Sequence, residues 1–217
     1  MSPTEITLYL ASYLLGSIPF GLLIGKLRGV DIRTRGSGNI GATNVFRCVG
    51  KAWGIGAFCL DFFKGYAAAA LLPLLIGPFG QEVLSPNVRL VGGLLAIVGH
   101  NYPVFLRFKG GKGIATSGGV LAGIAPLVIL PAAGTWLLLF VTTRYVSVAS
   151  IAAAGMCAAG GWIFYSDGGA IPYALTLLGL MAIWRHRSNM QRLKRGEENR
   201  FDFSRQAKKG PQGEEHE

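Results

Sequence analysis

The chain has 217 residues, of which 51% are hydrophobic and only 15% are charged, and its mean hydropathy is +0.42. A soluble domain of ordinary composition carries about 25% charged residues, so water is not the main solvent of this protein. The 21 Lys and Arg residues outnumber the 11 Asp and Glu residues, which predicts anionic partners such as lipid headgroups or phosphorylated metabolites. Basic and aromatic residues are not interleaved as in proteins that stack bases, and this argues against nucleic-acid binding.

Long apolar runs follow one another along the chain and predict membrane helices. The first run lacks the basic start of a cleaved signal peptide, so we expect it to remain in the protein. The runs are Ile6–Gly25, Ala52–Ile76, Val88–Leu106, Gly113–Val141, Val146–Tyr165 and Ile171–Trp184.

Basic residues concentrate in three connecting segments, at residues 26–51, at residues 107–112 and from Arg185 onward. The positive-inside rule places all three in the cytoplasm. The start of the chain and the segments GPFGQEVLSPN and SDGGAIP carry no Lys or Arg, and we expect them outside. The N terminus is then outside and the C terminus is cytoplasmic, which requires an odd number of crossings.

The apolar run from Gly113 to Val141 decides the number of crossings. It contains Pro126 and Pro131, and splitting it near Pro126 gives seven crossings instead of six. The split leaves a short fourth helix of about residues 114–124, which we expect to be tilted or buried among its neighbours.

These patterns predict an all-α membrane protein, a polytopic helical bundle of about seven transmembrane helices. Residues 1–195 form its single domain, and residues 196–217 form a polar cytoplasmic tail that we expect to be flexible. With this topology the segment TTRYVS at residues 142–147 is also cytoplasmic, so four distant segments meet at one membrane face.

Within the first basic loop, the string GSGNIGATNVFR places Gly36, Gly38 and Gly41 within six residues. Closely spaced glycines permit positive φ angles and let backbone N–H groups point at one anion. Polar side chains in the same string add hydrogen-bond partners and a guanidinium suited to phosphate: Ser37, Asn39, Thr43, Asn44 and Arg47. The alternative is a flexible turn with a lipid-facing arginine.

The second basic segment contains Lys109, Gly110, Gly111, Lys112 and Gly113 directly before a predicted helix. Glycine N–H groups at a helix N-terminus favour an anion. The string is not the nucleotide-binding P-loop, because a glycine follows the lysine where that motif has Ser or Thr.

In the third segment, His186 and Asn189 are three residues apart and share a face if the segment is helical. The surrounding arginines and lysines are more typical of a helix end against anionic lipid. His100, at the end of an apolar helix, ranks below His186 because a hydrogen-bonded packing histidine is equally expected there.

Two further polar groups lie near or within the predicted helices. Asp61 and Lys64 are three residues apart inside the second apolar run, and we expect them to neutralise each other or to line a polar interior. Ser147, the last residue of TTRYVS, and Ser150 lie at the start of the next predicted helix, where a hydroxyl serves either substrate binding or helix capping.

Three strings, SGNIGATNVFR, GHNYPVFLRFKGGKGIAT and RHRSNMQRLKRG, occur in this order between the predicted helices. Together they closely resemble the bacterial acyl-phosphate:glycerol-3-phosphate acyltransferase family over nearly the whole chain before Gly196. The resemblance implies transfer of a fatty acyl group from acyl phosphate to the 1-hydroxyl of glycerol 3-phosphate, which gives lysophosphatidic acid and inorganic phosphate. It also implies a bacterial inner-membrane enzyme whose site faces the cytoplasm. We expect no cofactor, and no metal because Asp31 is the only carboxylate in the three cytoplasmic loops before the tail.

Carried over by motif position, the family's site uses residues from all four segments: Ser37, Arg47, Lys112, Ser150, His186 and Asn189. We hypothesise that His186 accepts the glycerol hydroxyl proton, or that His186 and Asn189 orient the acceptor while a substrate phosphate oxygen takes the proton. Ser37 is expected to donate a hydrogen bond or carry a proton, because no base neighbours it in sequence.

Two other functions remain open on the sequence. A basic, glycine-rich vestibule would also suit a transporter or channel for an organic phosphate, although no inverted repeat is visible. A non-catalytic membrane anchor for acidic lipid is the third possibility.

Overall fold

The computed structural model describes residues 1–79, 84–167 and 169–201, and in these ranges the regular secondary structure is entirely helical. The predicted all-helical fold is therefore confirmed for the part of the chain described. The α-helices in chain order are α1 (Pro3–Ser17), α2 (Phe20–Leu27), α3 (Ala42–Cys48), α4 (Lys51–Tyr66), α5 (Leu72–Phe79), α6 (Pro86–Asn101), α7 (Ile114–Ile124), α8 (Pro126–Thr143), α9 (Val146–Phe164), α10 (Ile171–Arg185) and α11 (Arg187–Lys194). A π-helical turn, Ala67–Leu71, joins α4 to α5, and a 3-10 turn, Val104–Leu106, follows α6.

Five helical stretches among the described residues are long and apolar enough to cross a membrane. They are Pro3–Leu27, Lys51–Phe79, Pro86–Leu106, Pro126–Thr143 and Val146–Phe164. Helices α7 and α10 are apolar but shorter. Counting both as crossings would give the expected seven. The number of crossings and the orientation of the termini stay predictions.

Prolines divide two of the predicted apolar runs. As expected, α7 ends at Ile124 and α8 begins with Pro126 at its first position, where a proline lacks only an N–H that would have no partner in the helix anyway. The first run, predicted as one helix, is in fact interrupted between α1 and α2 at Ile18 and Pro19. The break leaves the Ile18 carbonyl able to accept a hydrogen bond from the Lys64 ammonium at 2.8 Å.

That ammonium belongs to a charged cluster inside the bundle. Lys64 and Asp61 form an ion pair of 2.8 Å with both side chains only 2% exposed, which confirms the expected mutual neutralisation. The imidazole of His100 lies 3.5 Å from the same carboxylate. Pairing is required here because an isolated charge in a membrane helix is costly.

Close helix contacts depend on small residues. Gly16 of α1 packs against Ala96 of α6, and Gly99 of α6 packs against Tyr13 of α1, so a Cβ at either glycine would collide with the opposite backbone. Such contacts let helices approach closely without a hydrophobic driving force between them.

A buried apolar cluster lies beneath the first basic loop. Leu22 of α2, Val45 of α3 and Ala57 of α4 pack with Ile32 and Ile40 from the loop itself. Because two loop residues are anchored in this cluster, the glycine-rich string between them is held at a fixed place on the bundle.

Candidate active site

The four segments that the sequence predicts to share a membrane face do meet at one end of the bundle. Lys112, from the loop before α7, donates a hydrogen bond to the Asn189 side-chain oxygen of α11. Ser147, at the start of α9, and Asn189 both bind the carboxylate of Glu198. Arg47 of α3 donates to the Asn199 carbonyl at 3.2 Å, which completes the assembly.

Glu198 is the central acceptor of this cluster. Its Oε1 accepts hydrogen bonds from Ser147 Oγ at 2.8 Å and Asn189 Nδ2 at 2.6 Å, and its Oε2 accepts one from Arg192 Nε at 2.8 Å. Burial opposes ionisation of Glu198, but the hydrogen bonds from Asn189, Ser147 and Arg192 outweigh it and hold the pKa of this carboxylate below its ordinary value. Glu198 is thus an anion at the meeting point of the site.

The residues directly after α11 contact the site, while the predicted domain boundary at residue 196 stays a prediction. Residues 196–217 were expected to form a flexible tail, but residues 197–201 turn back over the site. The Phe201 ring packs against Phe46 at 5.2 Å and Phe140 at 5.1 Å between ring centroids. The remainder of the predicted tail, residues 202–217, lies outside the described residues.

Sequence reasoning missed Glu198 because the string GEENRFDF has mixed charge and no helical apolar pattern. A signal was available in Phe201, an aromatic residue shortly after a basic helix, since an aromatic side chain anchors a polar segment to an apolar surface.

In the first loop, two of the three glycines adopt the expected backbone. Gly36 and Gly38 have φ angles of +59° and +69°, whereas Gly41 has an extended conformation with φ −77° as the N-cap of α3. The Ser37 N–H donates to Asn44 Oδ1 at 2.9 Å, and Ser37 itself is exposed. The loop therefore presents Ser37 outward on a constrained backbone.

Asn44 was expected to bind substrate, but its side chain supports the loop instead. Its Oδ1 holds the Ser37 N–H, and its Nδ2 donates to the carbonyls of Ile32 and Arg35 at 2.7 and 3.1 Å. With the amide fully used and only 1% exposure, Asn44 is a scaffold residue of the site. Asn39, which accepts a hydrogen bond from the Gly41 N–H, and Thr43 are half-buried nearby.

The two lysines of the second loop differ in exposure and in contacts. Lys109 is exposed, whereas Lys112 is half-buried and bonded to Asn189. Gly110 and Gly111 pass against His100, where a Cβ on either residue would collide with that histidine. Gly113 begins α7 as its N-cap with φ +78°, a conformation that favours glycine.

The pKa of Lys112 is lowered to about 8, mainly by burial; the Glu198 carboxylate raises it, and the arginines at 192, 185 and 47 lower it. The Lys112 ammonium is therefore easily deprotonated for a lysine, and an incoming phosphate would favour its charged form. Burial also lowers the pKa of the Arg47 guanidinium.

His186 lies between α10 and α11 as the C-cap of α10, and its side chain is 2% exposed. Its Nδ1 lies 2.8 Å from the Ala182 carbonyl oxygen, an acceptor, so Nδ1 carries the proton and Nε2 keeps its lone pair. Burial, with a smaller contribution from the Lys112 charge, lowers the pKa of His186 to about 4. His186 is neutral at pH 7 and has one nitrogen able to accept a proton.

The two candidate serines have different partners. Ser147 donates to Glu198, whereas Ser150, one turn further along α9, accepts a hydrogen bond from the Trp136 indole of α8 at 3.1 Å. Both side chains are almost completely buried. The structure thus joins Ser147 directly to the hydrogen-bonded cluster and places Ser150 on the same helix face beside it.

Among residues 1–79, 84–167 and 169–201, no group of three or more His, Cys, Asp and Glu side chains has the arrangement of a metal site. The ligand-binding capacity of this end of the bundle lies in cations, amides, hydroxyls and backbone N–H groups.

Residues 6–196 match a family model described as glycerol-3-phosphate acyltransferase. The chain is 45% identical over 199 residues to a glycerol-3-phosphate acyltransferase of Geotalea daltonii, with 91% of this chain and 98% of the relative covered. It is 43% identical over 197 residues to those of Desulforudis audaxviator, covering 88% and 93%, and Aquifex aeolicus, covering 89% and 97%.

Solved structures agree with these sequence relatives. The crystal structure of PlsY, an integral membrane glycerol 3-phosphate acyltransferase, in its glycerol 3-phosphate form has a TM-score of 0.80 and 42% identity, and the match covers 93% of this chain and 97% of that one. The lysophosphatidic acid form of the same protein has a TM-score of 0.77 and 42% identity, with 91% and 95% covered.

Proposed function

Because the chain belongs to the glycerol-3-phosphate acyltransferase family, we propose that it transfers a fatty acyl group from acyl phosphate to the 1-hydroxyl of glycerol 3-phosphate. The products are lysophosphatidic acid and inorganic phosphate, in the first acylation of bacterial phospholipid synthesis. The acyltransferase activity and the integral membrane fold are those of the family, and the choice of donor is the new element of the proposal.

The observation that carries this proposal is the meeting of four polar residues from three separate segments in one hydrogen-bonded cluster: Lys112, Ser147, Asn189 and Glu198. Spanning a membrane does not by itself require that a lysine, an amide, a carboxylate and a hydroxyl lie in contact with one another. Perturbed ionisable groups gathered at one place are typical of catalytic sites.

The reaction has two phosphate-bearing substrates, and the site offers two separate groups of anion ligands. The loop before α3 contributes the backbone around Gly36 and Gly38, and α3 contributes Arg47. The loop before α7 contributes Lys112 and the N-terminus of that helix. Guanidinium, ammonium and backbone N–H groups are the usual phosphate ligands in proteins.

Transfer requires the 1-hydroxyl oxygen of glycerol 3-phosphate to attack the acyl carbonyl carbon. The tetrahedral intermediate then collapses, the bond between the acyl carbon and the phosphate oxygen breaks, and inorganic phosphate leaves with the electron pair. Acyl phosphate is already an activated mixed anhydride, so positioning and charge stabilisation account for much of the rate.

The hydroxyl proton passes to His186 Nε2 or to a phosphate oxygen of a substrate. The neutral tautomer of His186 leaves Nε2 free for this role, and a phosphate dianion beside the imidazole would raise its pKa from about 4 towards a useful value. Asn189 orients the acceptor, and Ser37 donates a hydrogen bond from the first loop. Ser150 contributes a further hydroxyl.

We place the site on the cytoplasmic side of the bacterial inner membrane. The basic segments that form it are on that side according to the positive-inside rule. Glycerol 3-phosphate then enters from water, and the acyl chain of the donor lies along the apolar surface of the bundle.

The test is an assay of the purified protein in lipid nanodiscs with labelled glycerol 3-phosphate. Palmitoyl phosphate should give equimolar lysophosphatidic acid and phosphate, whereas palmitoyl-coenzyme A should give no product. Activity with the thioester alone would overturn the proposed donor. Uptake of glycerol 3-phosphate into vesicles without acylation would favour a transporter instead.

A second experiment addresses direct transfer. Incubation with radiolabelled palmitoyl phosphate alone should leave the protein unlabelled, because no acyl-enzyme forms. A stable label that is lost in Ser37→Ala would show that Ser37 is an acylated nucleophile and would contradict direct transfer.

A further inference from the structure

Arg185, the last residue of α10, reaches across the site to the glycine-rich loop before α7. One of its Nη atoms donates hydrogen bonds to the carbonyl oxygens of Gly110, at 3.1 Å, and Gly111. The guanidinium carbon also lies 5.1 Å from the centre of the Tyr102 ring, a cation–π distance. A single side chain thus holds two successive carbonyls and is itself fixed by an aromatic face.

The same two glycines also contact His100. The Gly111 N–H donates to the His100 carbonyl at 3.1 Å, and a Cβ at Gly111 would collide with the His100 imidazole. His100 is in turn fixed by the Asp61 carboxylate at 3.5 Å inside the bundle. The turn at Gly110 and Gly111 is therefore clamped between a buried histidine and an arginine.

This clamp determines the direction of the next peptide group. In a trans peptide, the carbonyl and the following N–H point in opposite directions. Because the Gly111 carbonyl points at Arg185, the Lys112 N–H points away from it, and two carbonyl oxygens that would repel a phosphate are turned aside. The Lys112 N–H is then available to an anion on the side of the loop that faces away from Arg185.

Arg185 also connects the loop to the other half of the site. It directly precedes His186, and Asn189 follows on the next helix, where it binds Lys112. Movement of the loop relative to α10 would therefore change the distance between Lys112 and His186.

We propose that Arg185 is a positioning residue of the acyl transfer reaction, which fixes the Gly110–Gly111 turn so that Lys112 and its backbone N–H face the substrate phosphate. The inference rests on the proposed function for its kinetic readout, but the clamp itself is independent of it. Arg185 acts through the loop and has no part in the chemical step.

Arg187 provides a matched control. It lies two residues away, carries the same charge and makes local contacts, with its guanidinium carbon 4.1 Å from the centre of the Trp184 ring and a hydrogen bond of 3.3 Å to the Trp184 carbonyl. If positive charge near the lipid surface were all that mattered, equivalent substitutions at the two arginines would have equal effects.

The experiment compares Arg185→Lys, Arg185→Gln, Arg187→Lys and Arg187→Gln in nanodiscs. Steady-state kinetics with both substrates are combined with amide hydrogen exchange of the peptide that covers residues 107–113. We expect Arg185→Gln to lower kcat/KM roughly 100-fold, since small misplacements of catalytic groups cost about that much. We expect Arg185→Lys to lower it roughly 10-fold, because an ammonium lacks the planar fork.

Exchange of the Gly111 amide, which donates to the His100 carbonyl, should become faster in both Arg185 variants. Both Arg187 variants should stay within about twofold of wild type in kcat/KM. The proposal is overturned if Arg185→Lys matches wild type in kinetics and exchange, or if Arg185→Gln and Arg187→Gln lose activity equally. If the wild-type protein lacks acyltransferase activity, the proposed function is wrong. If amide exchange is unchanged in the Arg185 variants, the clamp is wrong, whatever the activity.

Discussion

The Glu198 carboxylate accepts a hydrogen bond of 2.8 Å from the Ser147 hydroxyl, although 51 residues separate them in sequence. This contact attaches the segment after α11 to the start of α9. The second bond of the same oxygen, from Asn189, extends the connection to Lys112. The position of Lys112, the proposed phosphate ligand, therefore depends on a residue that follows α11.

Substitution of Glu198 by Ala should disorganise the site. It leaves the Ser147 hydroxyl, the Asn189 amide and the Arg192 guanidinium without their shared acceptor, and hydrogen bonds to charged groups contribute roughly 1.5–3 kcal/mol each. We expect a large loss of kcat/KM and a lower midpoint of thermal unfolding in detergent. Glu197→Ala is the control, because Glu197 is the exposed neighbour of Glu198. Equal effects of the two substitutions would refute the role of Glu198.

The pH dependence of substrate affinity should report Lys112. Its pKa of about 8 in the free protein is below the ordinary value, so the ammonium loses its proton as the pH rises through 8. Phosphate binds the protonated form more tightly, and affinity for a phosphate substrate should therefore fall above this pH, by about tenfold per unit for a single essential proton. The measurement is kcat/KM between pH 6 and 10.

Lys112→Arg gives the control for this pH profile. A guanidinium remains charged across the whole range, so any activity that this variant retains should show no decline near pH 8. An alkaline decline at the same pH in the variant and in wild type would assign the ionisation to another group.

Replacing the Asn189 amide with a carboxylate should strongly lower kcat. Asn189→Asp replaces the donor that contacts Glu198 with an acceptor and sets two carboxylates against each other, although it preserves an acceptor for Lys112. We expect kcat to fall by about 10²-fold or more, a loss typical of catalytic positioning groups. Gln191→Glu adds the same charge at an exposed position and should stay near wild-type activity.

The buried Lys64–Asp61 pair provides a prediction on stability. Lys64→Met leaves the Asp61 carboxylate, 2% exposed, without its ammonium partner, and breaking a buried pair costs roughly 3–5 kcal/mol. The unfolding midpoint should drop markedly. The double variant Asp61→Leu with Lys64→Met should recover part of the loss, and failure of the single variant to destabilise the protein would show that the pair is not coupled.

Several features of the fold follow directly from the sequence because their causes are local. Pro126 ends one helix and begins another, since a proline has no N–H for the interior of a helix. The positive φ angles of Gly36 and Gly38 likewise follow from closely spaced glycines. The break at Pro19 was available from the same rule but was hidden by the uniformly apolar residues around it.

The sequence by itself determined that this chain is helical, apolar and equipped with three basic, glycine-containing motifs, because periodicity, proline and glycine act within a few residues of their position. Only the tertiary structure decided which polar groups share a partner: that Lys112 and not Lys109 reaches Asn189, that Ser147 binds Glu198, and that Arg185 binds the loop before α7. Hydrogen bonds between segments more than 50 residues apart depend on how the helices pack, and that packing is a property of the whole bundle.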